Sequence, residues 1–216
     1  MLNNSKKNHL KDTNISKIWE TIYQKNSWGR YPSEELVRFI ARNFYEKKNH
    51  ANIKFLDLGC GGGSSSLYLS QEGFSVYGID SSKTAVKKTK LLLKKHNLSG
   101  KFQVMDFSEL DFLDNTFNCI IDICSLQHNK PIEIAKILHL LKIFLKPDGK
   151  FFSIIVGKGT KSELFMNKGF IHYYTKNEIK KLYKQFKIIS IEKLIRTENN
   201  CKDTIYHWVV HCENKK

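Results

Sequence analysis

The sequence lacks the features that mark membrane-spanning and secreted proteins. No apolar run in its 216 residues approaches the roughly 18–20 residues that are needed to span a bilayer. Residues 1–12 are polar and contain no apolar segment of the kind that a secretory signal carries. The five cysteines are scattered, with no CxxC pair and an odd total, which fits neither a closed disulfide framework nor a zinc site. We therefore expect a soluble cytoplasmic protein with free thiols, no membrane span and no metal centre.

The chain also has little arginine, no internal repeat and no linker rich in glycine, serine or proline. Its length, with 41% hydrophobic residues, suits one globular domain with a sizeable core. The formal net charge of +15 comes mainly from lysines that are spread over every segment, and the densest basic runs fall at helical spacing. A solvated helix face explains such runs as well as RNA binding does, so the sequence disfavours a nucleic-acid partner.

From residue 53 onward, short apolar strands alternate with amphipathic helices. The first five strands are predicted at residues 53–58, 74–80, 101–106, 117–123 and 150–156. This alternation predicts a three-layer α/β sandwich, in which a mostly parallel sheet is covered by helices on both faces. Two last strands, at 187–196 and 204–212, are joined by a connection too short for a helical crossover, so they should pair antiparallel.

Two helices are predicted before the sheet begins. Residues 14–25 place apolar side chains on one helical face, and Ser33 can cap a second helix that ends near residue 47. The turn between these helices contains Trp28, Arg30 and Tyr31, which could supply a pocket wall and a partner for an anionic group. A turn anchored by buried aromatic rings is the alternative. We interpret residues 1–48 as an N-terminal helical lid over a core of residues 49–216.

The most informative stretch is FLDLGCGGGSSS, residues 55–66, where a predicted strand enters a glycine-rich turn and a helix follows directly. Glycine permits positive φ and lets a ligand approach the backbone without a Cβ in the way. Asp80 ends the next predicted strand about 20 residues later, where its carboxylate can accept hydrogen bonds from ribose hydroxyls. Because ligands of open α/β sheets lie beyond the carboxyl ends of the strands, turn and acid together predict a nucleotide-like ligand.

The residue at the third glycine position of the turn helps to identify the class of ligand. A dinucleotide-binding turn reads GxGxxG or GxGxxA, whereas this position is Ser64, which disfavours an NAD-dependent oxidoreductase. DLGCGGG, followed by VYGIDSS, resembles motif I and its successor in the Rossmann-like (class I) S-adenosylmethionine-dependent methyltransferases. The resemblance continues through VMDF, FNCIIDICSLQH and LKPDGKFFSIIV and covers roughly residues 50–212. It departs from the family pattern at Gly62, where threonine or serine is common, and at Asp148, where glycine is common.

The resemblance implies a seven-stranded sheet with an antiparallel last strand, and S-adenosylmethionine as the cofactor, with S-adenosylhomocysteine as the product. The glycine turn would approach the methionine portion, with an acid at its ammonium group and an arginine at its carboxylate. Asp80 would bind the ribose diol, and Asp106 would accept from the adenine amino group. The cofactor-binding positions implied in this way are Asp57, Gly59, Cys60, Gly61, Asp80, Ser81, Asp106, Phe107, Asp122 and Arg30.

The resemblance also directs attention to residues near the transferred methyl group. A hydroxyl acceptor must lose its proton, so a histidine or a carboxylate close to the methyl group is useful. The candidate catalytic residues are His128, His172 and Asp122, and the candidate substrate contacts are Trp28, Tyr31 and Tyr173. Structural roles stay open for several of these groups: Asp106 as a turn cap, Asp122 as a hydrogen-bonded structural acid, and both histidines as packing residues.

The absence of one sequence motif limits the class of methyl acceptor. After the fourth strand the chain reads Asp122-Ile-Cys-Ser, without the Asn/Asp-Pro-Pro-aromatic tetrapeptide of the relatives that methylate exocyclic amines of nucleic-acid bases. We predict methylation of a small-molecule acceptor, as O-methylation of a sugar or another metabolite. The alternatives are an RNA or protein methyltransferase and a non-catalytic scaffold protein that binds the cofactor.

Overall fold

The structure, a computed structural model, describes residues 13–26, 30–162 and 170–215. Within these ranges the helices are α1 (Thr13–Lys25), α2 (Glu34–Phe44), α3 (Ser64–Gln71), α4 (Lys83–Lys95), α5 (Pro131–Phe144) and α6 (Lys176–Leu182). The strands are β1 (Lys54–Leu58), β2 (Ser75–Asp80), β3 (Lys101–Val104), β4 (Phe117–Ile123), β5 (Leu145–Val156), β6 (Lys187–Glu198) and β7 (Asp203–Glu213). No helix in these ranges is both long enough and apolar enough to cross a membrane.

The seven strands form one sheet in the order β3-β2-β1-β4-β5-β7-β6. The neighbours from β3 to β5 are parallel, while β7 is antiparallel to both β5 and β6. The predicted fold class and the antiparallel pairing of the last two strands are therefore confirmed. The chain runs outward from β1 to β3 and then returns to β4 on the other side of β1. This reversal separates the connections after β1 and β4 and opens a crevice at their carboxyl ends.

The core consists of two apolar layers, because successive side chains of a strand point to opposite faces of the sheet. One layer joins Phe55 and Phe152 to α2, α3 and α4, and the other joins Leu56 and Phe151 to α5 and α6. Helix α2 is part of the first layer, with Phe39 stacked on Phe152 at 4.6 Å between ring centroids. Within the predicted lid segment, α2 thus packs in the core, and α1 lies along the crevice; the lid role of the segment stays a prediction.

The turn before the main part of β5 explains one departure from the family pattern. Asp148 has φ +59°, in the left-handed region that favours glycine. Aspartate is one of the few other residues that adopt this region with some regularity. The substitution of aspartate for the common glycine therefore leaves the course of the turn intact.

Candidate active site

A cavity of about 620 Å³ lies at the carboxyl ends of β1, β2 and β4, where the strand order reverses. Its volume is typical of small-molecule sites, which measure roughly 300–1,000 Å³. The walls come from the turns after β1, β2 and β3, the loop after β4, helix α1, the start of α2 and the β6–β7 hairpin. Among the described residues of the lining, the acids outnumber the single arginine, Arg196; they are Glu35, Asp57, Asp80, Asp106 and Glu198. An acidic cavity thus lies within a chain whose formal net charge is +15.

The glycine turn after β1 requires glycine for two reasons. Gly59 and Gly61 have φ of +65° and +54°, which L side chains rarely adopt. A Cβ at Gly59 would lie 2.6 Å from Cβ of Ser125, and a Cβ at Gly61 would lie 3.3 Å from Cζ of Tyr23. Two protein side chains, one from the loop after β4 and one from α1, therefore pack against the turn at these positions. The remaining turn residues that line the cavity are Cys60, Gly62, Ser64 and Ser65.

Asp80 connects the turn after β1 with the turn after β2. Its Oδ2 accepts a hydrogen bond from N of Gly61 at 3.0 Å, and its Oδ1 accepts one from N of Ser82 at 2.8 Å. The side chain is largely buried; burial raises its pKa, whereas the two N–H donors act in the opposite direction. A carboxylate has about four acceptor sites, so Asp80 can accept further hydrogen bonds from a diol in the cavity.

Asp57 lies at the base of the cavity and is almost fully buried. It accepts a hydrogen bond from Oγ of Ser66 at 2.6 Å. Burial, with smaller contributions from the neighbouring Asp80 and Asp122, raises the pKa of Asp57 to about 7 in spite of the hydrogen bond from Ser66. A cationic group in the cavity would favour the ionised form of this carboxyl.

Asp106 caps a turn and also lines the cavity, and its role at the adenine stays a prediction. It caps a 3₁₀ turn, Phe107–Glu109, by accepting from N of Ser108 at 2.9 Å and from Oγ of Ser108 at 2.7 Å. The same residue lines the cavity beside Met105, Phe107 and Ser81. The predicted adenine end therefore has an acid, a hydroxyl and an apolar wall.

Asp122 is placed differently from the other predicted acids, because it is fully buried and is not among the cavity-lining residues. Its Oδ1 accepts from N of Ser125 and N of Leu126, both at 3.0 Å, and its Oδ2 accepts from Oγ of Ser153 at 2.7 Å. Burial raises its pKa to about 6 against these donors. The structure therefore places Asp122 under the loop after β4, where it fixes the backbone, while Cys124 of that loop reaches the cavity.

The two candidate histidines lie in different places. His128 is buried, lines the cavity and packs edge-on against Trp19, with 4.8 Å between ring centroids. His172 lines a second cavity near α5 and α6, where its Nε2 lies 3.1 Å from Oε1 of Glu178. Of the two, His128 is thus the one that shares a cavity with the glycine turn and Asp80.

The two predicted substrate contacts that the structure describes, Tyr31 and Tyr173, do not line the cavity. Tyr31 is 88% exposed, and neither it nor the exposed Arg30 is among the cavity-lining residues. Tyr173 is half-buried and is also absent from that lining. Trp28 lies outside the described residues. Among the described residues, the acceptor side of the cavity is therefore lined by elements other than Arg30 and Tyr31.

One of these elements is the β6–β7 hairpin, which the sequence reasoning did not assign to the site. Leu194 lies opposite His207 and Arg196 lies opposite Ile205 in the antiparallel register, and Glu198 follows on the same face. Burial and the nearby Arg196 lower the pKa of His207 to about 4, so its imidazole is uncharged at neutral pH. The alternation of Leu194, Arg196 and Glu198 at every second residue was the available sequence signal.

Comparison with known proteins identifies the type of domain. Residues 55–149 match the model of a methyltransferase domain family. Ubiquinone biosynthesis O-methyltransferase of Pelagibacter ubique is 33% identical over 137 residues, which are 63% of this chain and 55% of that protein. The 2-heptyl-1-hydroxyquinolin-4(1H)-one methyltransferase of Mycobacteroides abscessus is 32% identical over 106 residues, which are 49% of this chain and 44% of that protein. The chain thus spans about half the length of the curated relatives that it matches.

Solved structures agree on the fold. The 1,6-didemethyltoxoflavin-N1-methyltransferase of Burkholderia thailandensis, solved with its substrate and S-adenosylhomocysteine bound, has a TM-score of 0.68. The similarity covers 85% of this chain and 78% of that one, at 17% sequence identity. Likeness at this level of identity concerns the arrangement of helices and strands.

Proposed function

We propose that this chain, which carries a Rossmann-like S-adenosylmethionine-dependent methyltransferase domain, transfers the methyl group of that cofactor to a hydroxyl of a small molecule. The family resemblance seen in the sequence is confirmed by the domain match at residues 55–149 and by the seven-stranded fold. The observation that carries the proposal is the acidic cavity at the reversal of strand order, which contains the glycine turn, Asp80 and His128 together.

The cavity residues fit the proposed cofactor chemically. S-adenosylmethionine supplies an electrophilic methyl group on a cationic sulfonium, and it also carries an ammonium group and a ribose diol. Asp57 and Asp80 provide negative charge and acceptor sites beside the glycine turn. Asp106 and Phe107 provide an acceptor and an apolar wall for the adenine end. We assign these four residues, with Ser81, to cofactor binding.

His128 is the proposed proton acceptor for the hydroxyl. Its buried position on the cavity wall keeps bulk water away from the imidazole, and the edge contact with Trp19 fixes the orientation of the ring. A positioned general base contributes roughly a hundredfold or more to such a reaction. His172 has no such role in this proposal, since it lines the second cavity beside Glu178.

The lining on the acceptor side favours a molecule with apolar faces, such as a hydroxylated aromatic ring. The apolar residues there are Ile15, Trp19, Ile154, Leu194 and Ile205. The names of two relatives, a hydroxyquinolinone methyltransferase and an O-methyltransferase of ubiquinone biosynthesis, point in the same direction. A sugar hydroxyl is the second candidate acceptor. RNA is disfavoured because the acidic lining would repel a phosphate backbone.

The first test of the function is calorimetric titration with S-adenosylhomocysteine, followed by transfer of a labelled methyl group. The acceptor panel contains hydroxylated aromatics, sugars, RNA and protein. We expect cofactor binding and label in the hydroxylated aromatics. Folded protein that binds no S-adenosylhomocysteine at millimolar concentration would exclude the proposal, and label in RNA or protein alone would assign the activity to another acceptor class.

The same assay examines the histidines by comparing two matched variants. His128→Ala should lower kcat roughly a hundredfold without changing the affinity for S-adenosylhomocysteine. His172→Ala should leave kcat unchanged, because this histidine lies in the second cavity. Equal losses in the two variants would remove His128 from its proposed role.

A further inference from the structure

Helix α1 is joined to the cofactor side of the cavity by a continuous set of hydrogen bonds. N of Ser82 donates to Asp80 at 2.8 Å, and Oγ of Ser82 donates to Oε2 of Glu20 at 2.6 Å. Glu20 also accepts from N of Thr84 at 3.1 Å and from Oγ1 of Thr84 at 2.5 Å. These donors lower the pKa of Glu20 to about 2. One residue, Ser82, therefore lies between the carboxylate assigned to the ribose and a carboxylate on α1.

A second attachment holds the C-terminal end of α1. Nζ of Lys88 on α4 donates to O of Tyr23 and to O of Asn26, the latter at 2.8 Å. A cation at a helix C-terminus and an anion at a helix N-terminus are both favourable arrangements. Glu20, which lies at the start of α4, and Lys88, which lies at the end of α1, thus fix the C-terminal half of α1.

These attachments place Tyr23 directly over the glycine turn. The Tyr23 hydroxyl occupies the space that a Cβ at Gly61 would fill, and its ring atom Cζ lies 3.3 Å from that position. Tyr23 is a cavity-lining residue. Its pKa is raised by burial first and then by the negative charges of Asp80, Cys60 and Asp57 when ionised, so the phenol keeps its proton and can donate it in a hydrogen bond.

The carboxylate of the cofactor's methionine portion cannot be bound by the acids of the cavity, because it carries the same charge. The sequence suggested Arg30 for this carboxylate, but Arg30 is exposed and is not among the lining residues. Arg196 lines the cavity from the β6–β7 hairpin and is paired with Glu198 at 2.8 Å. Tyr23 is the hydroxyl donor that stands over Gly61, at the end of the cavity where the methionine portion belongs.

We propose that Tyr23 binds the carboxylate end of the cofactor through its hydroxyl, and that Glu20 is a positioning residue that holds Tyr23 over the glycine turn. This inference rests on the proposed function, because it assigns residues to the cofactor of that reaction. Helix α1 is then part of the cofactor site itself as well as a cover over the acceptor.

The test measures S-adenosylhomocysteine affinity by calorimetry in single and double variants. Tyr23→Phe removes the hydroxyl and keeps the ring; we expect a dissociation constant roughly tenfold or more higher, as for loss of a hydrogen bond to a charged group. Glu20→Gln should weaken binding several-fold, and the double variant should bind about as poorly as Tyr23→Phe alone, since Glu20 acts through Tyr23. Tyr45→Phe and Glu46→Gln are the matched controls on exposed positions, and both should bind like the wild type.

The outcomes separate the two claims. Wild-type protein that fails to bind S-adenosylhomocysteine contradicts the proposed function. Wild-type protein that binds, with Tyr23→Phe within twofold of it, overturns the role of Tyr23 and leaves the function intact. Additive losses in the double variant, or a Glu20→Gln variant that loses thermal stability without losing affinity, overturn the positioning role of Glu20.

Discussion

The two ends of the cavity are formed by different kinds of structural element. The cofactor end consists of backbone turns tied to short carboxylates, with Tyr23 of α1 over Gly61. Asp80 connects the turns after β1 and β2 by accepting from two N–H groups. The acceptor end consists of side chains from α1, the loop after β4 and the distant β6–β7 hairpin. Backbone turns fix the position of their N–H and C=O groups, so the cofactor end is shaped for one ligand. Side chains on the hairpin can be substituted without altering the conformation of these turns. We infer that selectivity for the acceptor resides in α1, His128 and the hairpin.

The largest effect is expected at Asp122, which lies under the loop after β4 and supports the cavity from below. Asp122→Ala removes the acceptor for N of Ser125, N of Leu126 and Oγ of Ser153. Buried donors left without a partner cost about 1–3 kcal/mol each, and removal of a carboxyl whose pKa is raised to about 6 offsets part of that cost. We expect the free energy of unfolding to fall by about 2–4 kcal/mol in urea denaturation. Unchanged stability with lost turnover would return Asp122 to a catalytic role.

The second-largest effect is expected on cofactor affinity, from a substitution at the cofactor end of the cavity. Asp80→Ala should weaken S-adenosylhomocysteine binding by about 1–3 kcal/mol, because a charged hydrogen-bond partner of the ligand is lost. The KM for the acceptor should change little, and Asp111→Ala on an exposed position is the control. Wild-type affinity in Asp80→Ala would remove this residue from the site.

The pH dependence of S-adenosylhomocysteine affinity is a further property that we expect of the cofactor end of the cavity. The pKa of Asp57 is raised to about 7, so this carboxyl is mostly protonated at pH 6 and mostly ionised at pH 8. Since a bound ammonium group favours the ionised form, affinity for S-adenosylhomocysteine should rise about tenfold from pH 6 to pH 8. Binding should release protons over this range, which calorimetry in buffers of different ionisation enthalpy detects. Asp57→Asn should flatten the profile; an equally steep profile in that variant would assign the titration to another group.

The smallest effect is expected at the hairpin. The side chain of Arg196 is 61% exposed and paired with Glu198, and exposed ion pairs contribute about 0.2–1 kcal/mol. Arg196→Gln should therefore change the KM of the acceptor only a few-fold and leave S-adenosylhomocysteine affinity unchanged. A parallel loss of cofactor affinity would show that the two ends of the cavity are not independent.

The arrangement of the glycine turn and Asp80 at the proposed cofactor end could be predicted from the sequence because its signals are local. The strand, the glycine turn, the helix that follows and Asp80 lie within one stretch of the chain, and their spacing follows from a βαβ unit. The lining on the acceptor side depends on how distant elements meet. The alternation of side chains around Arg196 indicates a strand face, but it does not show that the hairpin returns to the carboxyl edge of the sheet beside β5. Likewise, no local pattern indicates that Tyr23 lies against Gly61.

Asp122 shows why a position at a strand end does not by itself define a role. Strand side chains alternate between faces, so Asp122 and Ile123 point in opposite directions. Ile123 and Cys124 reach the cavity, while Asp122 faces Ser153, whose hydroxyl lies 2.9 Å from Oη of Tyr183. The sequence could not indicate whether Arg30 lines the cavity for a related reason, because its place in a turn between two helices left the direction of its side chain open.

The central claim is that this cavity holds the methyl donor with its reactive end toward His128. A crystal structure of the protein with S-adenosylhomocysteine tests it most directly. We expect the ribose at Asp80, the adenine beside Asp106 and Phe107, and the sulfur on the side of the cavity that contains His128. Ligand bound in the second cavity beside His172, or a ribose out of hydrogen-bond range of Asp80, would contradict it.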